Sequence, residues 1–107
     1  MADQPAFLPA FLVVIARVHD PERMKAYSAA LAASGLYARH GGHYAFIGSA
    51  AENLENWDMG MRLVCARFPS RAAAHAFWHD AQYQSEIKPL RLGAADVQVA
   101  IFEAPAI

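Results

Sequence analysis

ARHGGHYAFIGS, from Ala38 to Ser49, and RLVCARFPSRAAAHAFWHDAQYQ, from Arg62 to Gln84, each join a strand-like pattern to a helix-like pattern through a sharp turn. In the first, the pair Gly41-Gly42 supplies the positive φ that closes a helix and turns the chain back into a strand. His43 to Ser49 then alternates, with Tyr44 and Phe46 on one face and His43, Ala45 and Ile47 on the other, as a half-covered strand does. In the second, Met61 to Phe68 places Arg62, Val64, Ala66 and Phe68 on one face and Leu63, Cys65 and Arg67 on the other. Pro69-Ser70 ends that strand, and Ser70 is a good N-cap for a helix whose apolar stripe is Ala73, Ala74, Phe77, Trp78 and Ala81.

Working outward toward the N-terminus, Phe11 to His19 reads FLVVIARVH and is apolar on both alternating faces until Arg17, which suits a central strand covered on two sides. Pro5 and Pro9 confine any earlier pairing to an edge or an arm. Asp20-Pro21-Glu22 is a helix start: an N-cap acceptor, a proline at the first helical position and an acid near the positive end of the dipole. The helix that follows places Met24, Tyr27, Ala30, Leu31 and Ser34 on one stripe, and its alanines permit close approach to a sheet. It either ends at Gly35 or runs one more turn through Leu36 to His40. Toward the C-terminus, a short helical stretch holding Ile87, Leu90 and Leu92 is interrupted by Pro89 and ends near Gly93. Asp96 to Glu103 is the last strand, with Val97, Val99 and Ile101 on one face and Gln98, Ala100 and Phe102 on the other. Between the middle strands, Ala50 to Gly60 is polar and irregular, with Asn53-Leu54-Glu55 as a short strand extension.

The order is β-α-β-β-α-β, an α+β fold of the ferredoxin-like type with an antiparallel sheet and both helices on one face. Its core runs from Phe11 to Glu103 within one domain of 107 residues. Because the strands are apolar on both faces, the second face is expected to meet another sheet, and a homodimer that closes two sheets into a barrel supplies one.

Composition narrows the partners. The chain is 56% hydrophobic and 18% charged, which favours covering some apolar surface by self-association. Net charge is −1, with nine basic and ten acidic residues scattered along the chain, so no nucleic-acid stripe is expected. The apolar run from Phe7 to Ala16 is about half the length of a membrane span and follows Asp3 and Gln4 rather than a basic leader, so neither an anchor nor a signal is expected. Cys65 is the sole cysteine. It cannot form an internal disulfide, which suits a reducing cytoplasm, and it reads as a small buried hydrophobe.

A set of motifs then resembles a known family. His40-Gly41-Gly42 precedes an aromatic strand, Leu54-Glu55 and Trp57 mark a hairpin region, Arg62 opens a strand, and Phe68-Pro69-Ser70, Phe77-Trp78, Tyr83 and Arg91 follow. Together, over roughly Phe11 to Glu103, they resemble domain-of-unknown-function family 1330, similar in fold to the dimeric α+β barrel superfamily. That superfamily includes cofactor-free monooxygenases, small-molecule isomerases and haem enzymes, so the resemblance implies a fold and leaves the reaction open. This chain has His43 where the family often has arginine, and Asp58-Met59-Gly60 where a proline is common.

Candidate chemistry centres on His40 and Arg62. His40, an imidazole beside two small residues, suits general acid/base work, although a helix-terminal histidine bonding the last carbonyls is the simpler reading, since Gly41-Gly42 already explains the turn. Arg62 and Arg17 lie on apolar strands, where a guanidinium needs an anion: a substrate carboxylate, or Glu103, Glu55 or Asp96. Tyr44, Trp57 and Tyr83 offer apolar walls with polar handles, and Trp57 serves equally as an interface anchor. His75 and His79 at i, i+4 and His40-x-x-His43 lack the further ligands of a metal site, and the chain is short for a haem, so no metal or cofactor is expected. No nucleophile elbow, phosphate loop or dinucleotide fingerprint is present. Two functions remain: a homodimer with a pocket for a small aromatic or carboxylate-bearing metabolite, with cofactor-free proton-transfer chemistry such as an isomerase, lyase or monooxygenase performs, or a non-catalytic dimer that binds a ligand or protein.

Overall fold

The computed structural model describes residues 8–104. Pro5 lies outside the described residues. Strand β1 (Ala10–Val18) is followed by α1 (Pro21–Ser34), a single turn α2 (Leu36–Arg39), β2 (His43–Ser49), β3 (Arg62–Phe68), α3 (Arg71–Trp78) and β4 (Ala95–Glu103). Between α3 and β4 the chain forms a wide π turn over Tyr83–Ile87 and a 3₁₀ turn over Lys88–Arg91. The four strands make one antiparallel sheet in the order β2-β3-β1-β4. This is the ferredoxin-like α+β arrangement, in which each helical crossover skips a strand.

Local chemistry explains where the helices begin. The Asp20 carboxylate accepts from the Arg23 amide at 3.2 Å and Pro21 opens α1. The Ser70 hydroxyl accepts from the Ala73 amide at 3.1 Å, a cap worth about 1 kcal/mol. Both readings of the end of α1 hold in part: it stops at Gly35, with φ 69°, and the chain then adds the turn α2. Of the second stripe, Ala81 is exposed, because α3 ends at Trp78.

The helix-facing side of the sheet carries Leu12, Ala16, Ala66 and Phe68, which pack with Leu31, Leu36, Phe77 and Ile87 as the core. Burying Phe68 and Phe77 contributes roughly 2–3 kcal/mol each. The other side carries Phe11, Val13 and Ile15 on β1, Leu63 and Cys65 on β3, and Ala100 and Phe102 on β4, each set opposite the next in register.

Two sequence expectations change. Tyr44 and Phe46 do not share a face, because a bulge lies between them: Tyr44 pairs with Ala66 but Phe46 pairs with Cys65. The extra residue turns Phe46 to the outer side and Ile47 to the helix side. Asn53-Leu54-Glu55 forms no strand and lies in an exposed loop.

The glycine pair also divides its labour. Gly41 alone has the left-handed φ, 76°. Gly42 is required by close approach: a Cβ there would stand 2.7 Å from Phe68 Cζ, and Phe68 is fully buried. Gly42→Ala is therefore expected to destabilise the chain by about 1–3 kcal/mol in denaturant unfolding, with a smaller cost if Phe68 is shortened to Leu in the same chain.

Candidate functional site

Between the sheet and the two long helices lies a cavity of about 60 Å³. That is the space of about two waters and under half of the roughly 150 Å³ in which a benzene ring sits, so a ring is admitted only as the lining side chains move outward. Its floor is apolar, from Leu12, Val14, Ala16, Val64 and Val97 on the strands. Its roof comes from Met24, Tyr27 and Leu31 of α1 and Phe77 and Trp78 of α3. The amphipathic stripe of α1 therefore supplies packing on one turn and cavity wall on the next.

Four tyrosines and two arginines bring polarity to this apolar space: Tyr27, Tyr37, Tyr44, Tyr83, Arg62 and Arg91. The hydroxyls of Tyr27 and Tyr83 lie 2.9 Å apart and share a hydrogen bond. Arg91 Nη2 donates a long hydrogen bond to the Tyr83 hydroxyl at 3.5 Å, and its guanidinium stands 5.5 Å from the centre of the Tyr27 ring. The Tyr37 ring packs 4.9 Å from Tyr44 and stacks 4.6 Å from Phe77.

Burial raises the pKa values of Tyr27 and Tyr37 well above the usual phenol value, and the neighbouring tyrosines push the same way. Tyr44 is raised by burial too, with Arg62 close enough to offset part of the effect. These three remain neutral hydroxyls at physiological pH. Their use is to donate or accept hydrogen bonds rather than to remove protons.

The residues singled out in the sequence divide into two groups. Arg62, Tyr44 and Tyr83 come together on the cavity wall. His40, Trp57 and Arg17 are not among its lining residues. His40 Nε2 lies 2.8 Å from Asp80 Oδ2 and its ring meets Phe77 edge-on at 6.2 Å. The hydrogen bond from His40 holds the Asp80 carboxyl below its usual range, helped by the Gln82 amide, which donates to Oδ1, and by nearby Arg39. Arg17 pairs with Asp58 rather than with Asp96, which accepts from His19 Nε2 instead. Trp57 is 44% exposed in the loop between β2 and β3, and that loop contributes nothing to the cavity wall. Arg62 has no carboxylate within ion-pair distance among the described residues.

The other candidates are surface or packing features. His75 and His79 pack with tilted rings, centres 4.3 Å apart, on the exposed side and at the end of α3. Among the described residues no three His, Cys, Asp or Glu side chains gather as a metal centre requires. Cys65 is buried, which pushes its thiol up and away from thiolate chemistry. No helix among the described residues is long and apolar enough to cross a membrane.

Tyr27, Tyr37 and Arg91 were not singled out as site residues from sequence. Tyr27 sits on the apolar stripe of α1, where its hydroxyl is the only sign that the stripe faces something polar. Arg91 sits between Leu90 and Leu92, an arginine inside an apolar turn, which was the available signal.

Comparison with known proteins fits this architecture. No curated protein matches the chain. Among solved structures, a hypothetical protein of Arabidopsis thaliana superposes with a TM-score of 0.68 at 17% identity, covering 97% of this chain and 95% of that one. SnoaB, a cofactor-independent oxygenase from Streptomyces nogalater, gives 0.63 at 17% identity, covering 94% and 96%. A protein of unknown function from Rhodopseudomonas palustris gives 0.61 at 19% identity, covering 98% and 88%. At these identities the likeness is one of fold. A family model described as domain of unknown function (DUF1330) matches residues 9–105, nearly the whole chain, and the protein belongs to that family.

Proposed function

We propose that this chain binds a small aromatic or carboxylate-bearing metabolite in the cavity between its sheet and its helices. The observation that carries the reading is the wall itself: an apolar floor with four tyrosines and two arginines around one small cavity, which a ring enlarges on entry. A ring lies between Leu31, Val64 and Phe77 while its polar substituent meets Tyr27, Tyr83 or an arginine.

The same wall constrains the chemistry. It contains no histidine and no carboxylate, so the cavity has cations and neutral hydroxyls but no evident base. Such a site stabilises an enolate or phenolate that forms on the ligand, as cofactor-free isomerisation or oxygenation requires. The cofactor-independent oxygenase SnoaB, alike in fold, is consistent with that chemistry. His40, paired with Asp80, would enter as a proton carrier only if the Phe77 side chain moved aside. The missing base favours the second reading, a binding module without turnover.

A homodimer is part of the proposal. The outer sheet face leaves Phe46 and Phe102 more than half exposed, at 56% and 57%, beside Val13, Ile15 and Leu63. Asp58, paired with Arg17, ties the loop to the end of this face, and its neighbours Trp57 and Met59 are exposed apolar side chains. A second copy is the simplest cover, and it would seal Cys65.

Three outcomes follow. Titration of the labelled chain with benzoate and benzamide is expected to shift backbone resonances of Leu31, Val64 and Phe77, and Val64→Trp, which fills the cavity, to abolish the shifts; perturbation by neither probe contradicts the reading. Sedimentation is expected to show a dimer that Leu63→Asp converts to a monomer, and a monomeric native chain removes the dimer from the proposal. In alkaline titration the tyrosines bear on stability with a definite sign. Their folded values lie above the unfolded one, so the contribution is whole below about pH 10 and declines as pH rises past it. Tyrosinate absorbance is expected to appear in part only on unfolding; ionisation of all four tyrosines in the native chain with a midpoint near pH 10 would show them to be solvated.

A further inference from the structure

We infer that Arg91 receives the anionic group of the ligand, so that the cavity selects a carboxylate on a single ring over the corresponding neutral compound. The inference rests on the cavity being a ligand site, as proposed above, and decides between the two ligand classes left open there.

Arg91 is only 8% exposed, yet its charge has no carboxylate within ion-pair distance among the described residues. A buried guanidinium without a counter-ion is costly, and it is retained where an anion arrives to pair with it. Its contacts on the cavity side are both uncharged: the Tyr83 hydroxyl at 3.5 Å and the face of Tyr27. Burial keeps Tyr27 a neutral phenol, so the ring offers no compensating charge. No side-chain nitrogen among the described residues is both fully buried and without a partner. A guanidinium carries five N–H groups, of which Arg91 gives one to Tyr83, and Arg91 lines the cavity.

Arg62 differs in the property that matters. It is exposed at the start of β3, where water satisfies a guanidinium without help from a ligand. Arg91 is also held in place. Arg23 of α1 donates to the carbonyls of Leu92 at 2.6 Å and Leu90 at 3.4 Å, fixing the backbone on either side of it. A forked donor with a fixed backbone suits a planar carboxylate. The linked hydroxyls of Tyr83 and Tyr27 give one more donor beside it. Because the cavity is small even for a single ring, the ligand class is limited to a monocyclic carboxylate, whose ring displaces the side chains of Leu31, Val64 and Phe77 as it enters.

The test compares benzoate with benzamide, which has the same shape without the charge. In the native chain, the Arg91 guanidinium ¹⁵N resonance is expected to shift with benzoate and not with benzamide, and benzoate to bind about tenfold or more tightly. Arg91→Gln is expected to erase the preference and Arg62→Gln to leave most of it. Equal binding of the two probes within the cavity overturns the role of Arg91 while leaving the cavity reading intact, as does a preference that disappears with Arg62 alone. Failure of both probes to perturb any lining residue overturns the cavity reading and this inference together. Should Arg91→Gln not fold, the native guanidinium resonance decides the matter without it.

Discussion

The whole arrangement depends on one contact, the packing of Gly41-Gly42 against Phe68-Pro69. Gly41 takes the left-handed turn with Pro69 carbons 3.2 Å from where its Cβ would be, and Gly42 leaves room for the Phe68 ring. This contact brings the end of α2 down onto the end of β3. It fixes where β2 enters the sheet, and with it the placement of Tyr44 on the helix side. The same neighbourhood carries Tyr37, which stacks on Phe77, packs beside Tyr44 and walls one side of the cavity. Backbone proximity that only glycine permits thus becomes aromatic packing, and the packing shapes the space where a ligand is proposed to sit.

The sheet separates two tasks. Its helix side is closed by Leu31, Phe68 and Phe77 except where tyrosines and arginines line the cavity, so its polarity is concentrated in one place. Its outer side is apolar and incompletely covered, with Arg17 and Asp58 at one end. A bulge at Ala45 assigns Tyr44 to the first task and Phe46 to the second. Without that extra residue both aromatic rings would lie on the helix side, crowding the cavity and leaving the outer face with less apolar surface.

Much of the fold was legible because its signals are local. Asp20-Pro21 and Ser70 start helices by side-chain capping, and the stripe Met24, Tyr27, Ala30, Leu31 and Ser34 is the covered side of α1. The alternation of β3 and β4 survives intact in the sheet register. The bulge in β2 was not legible, since inserting one residue leaves a short aromatic run looking regular. The site was legible only in part, because its geometry depends on distant pairings. Arg62, Tyr44 and Tyr83 lie on the cavity wall, but His40 lies against Asp80, forty positions away. Arg17 stands opposite Asp96 in the register yet pairs with Asp58 across a loop whose path no pattern fixes. Arg91 gains its meaning from burial, which a single arginine between two leucines signals only once the turn around it is placed.

The most direct test of the central claim is a crystal structure of the chain grown with benzoate. The expected result is electron density for one ring between Leu31, Val64 and Phe77, with its carboxylate within hydrogen-bond distance of Arg91 and the Tyr83 hydroxyl. An empty cavity with benzoate bound instead at the His40-Asp80 pair or on the outer sheet face would contradict it.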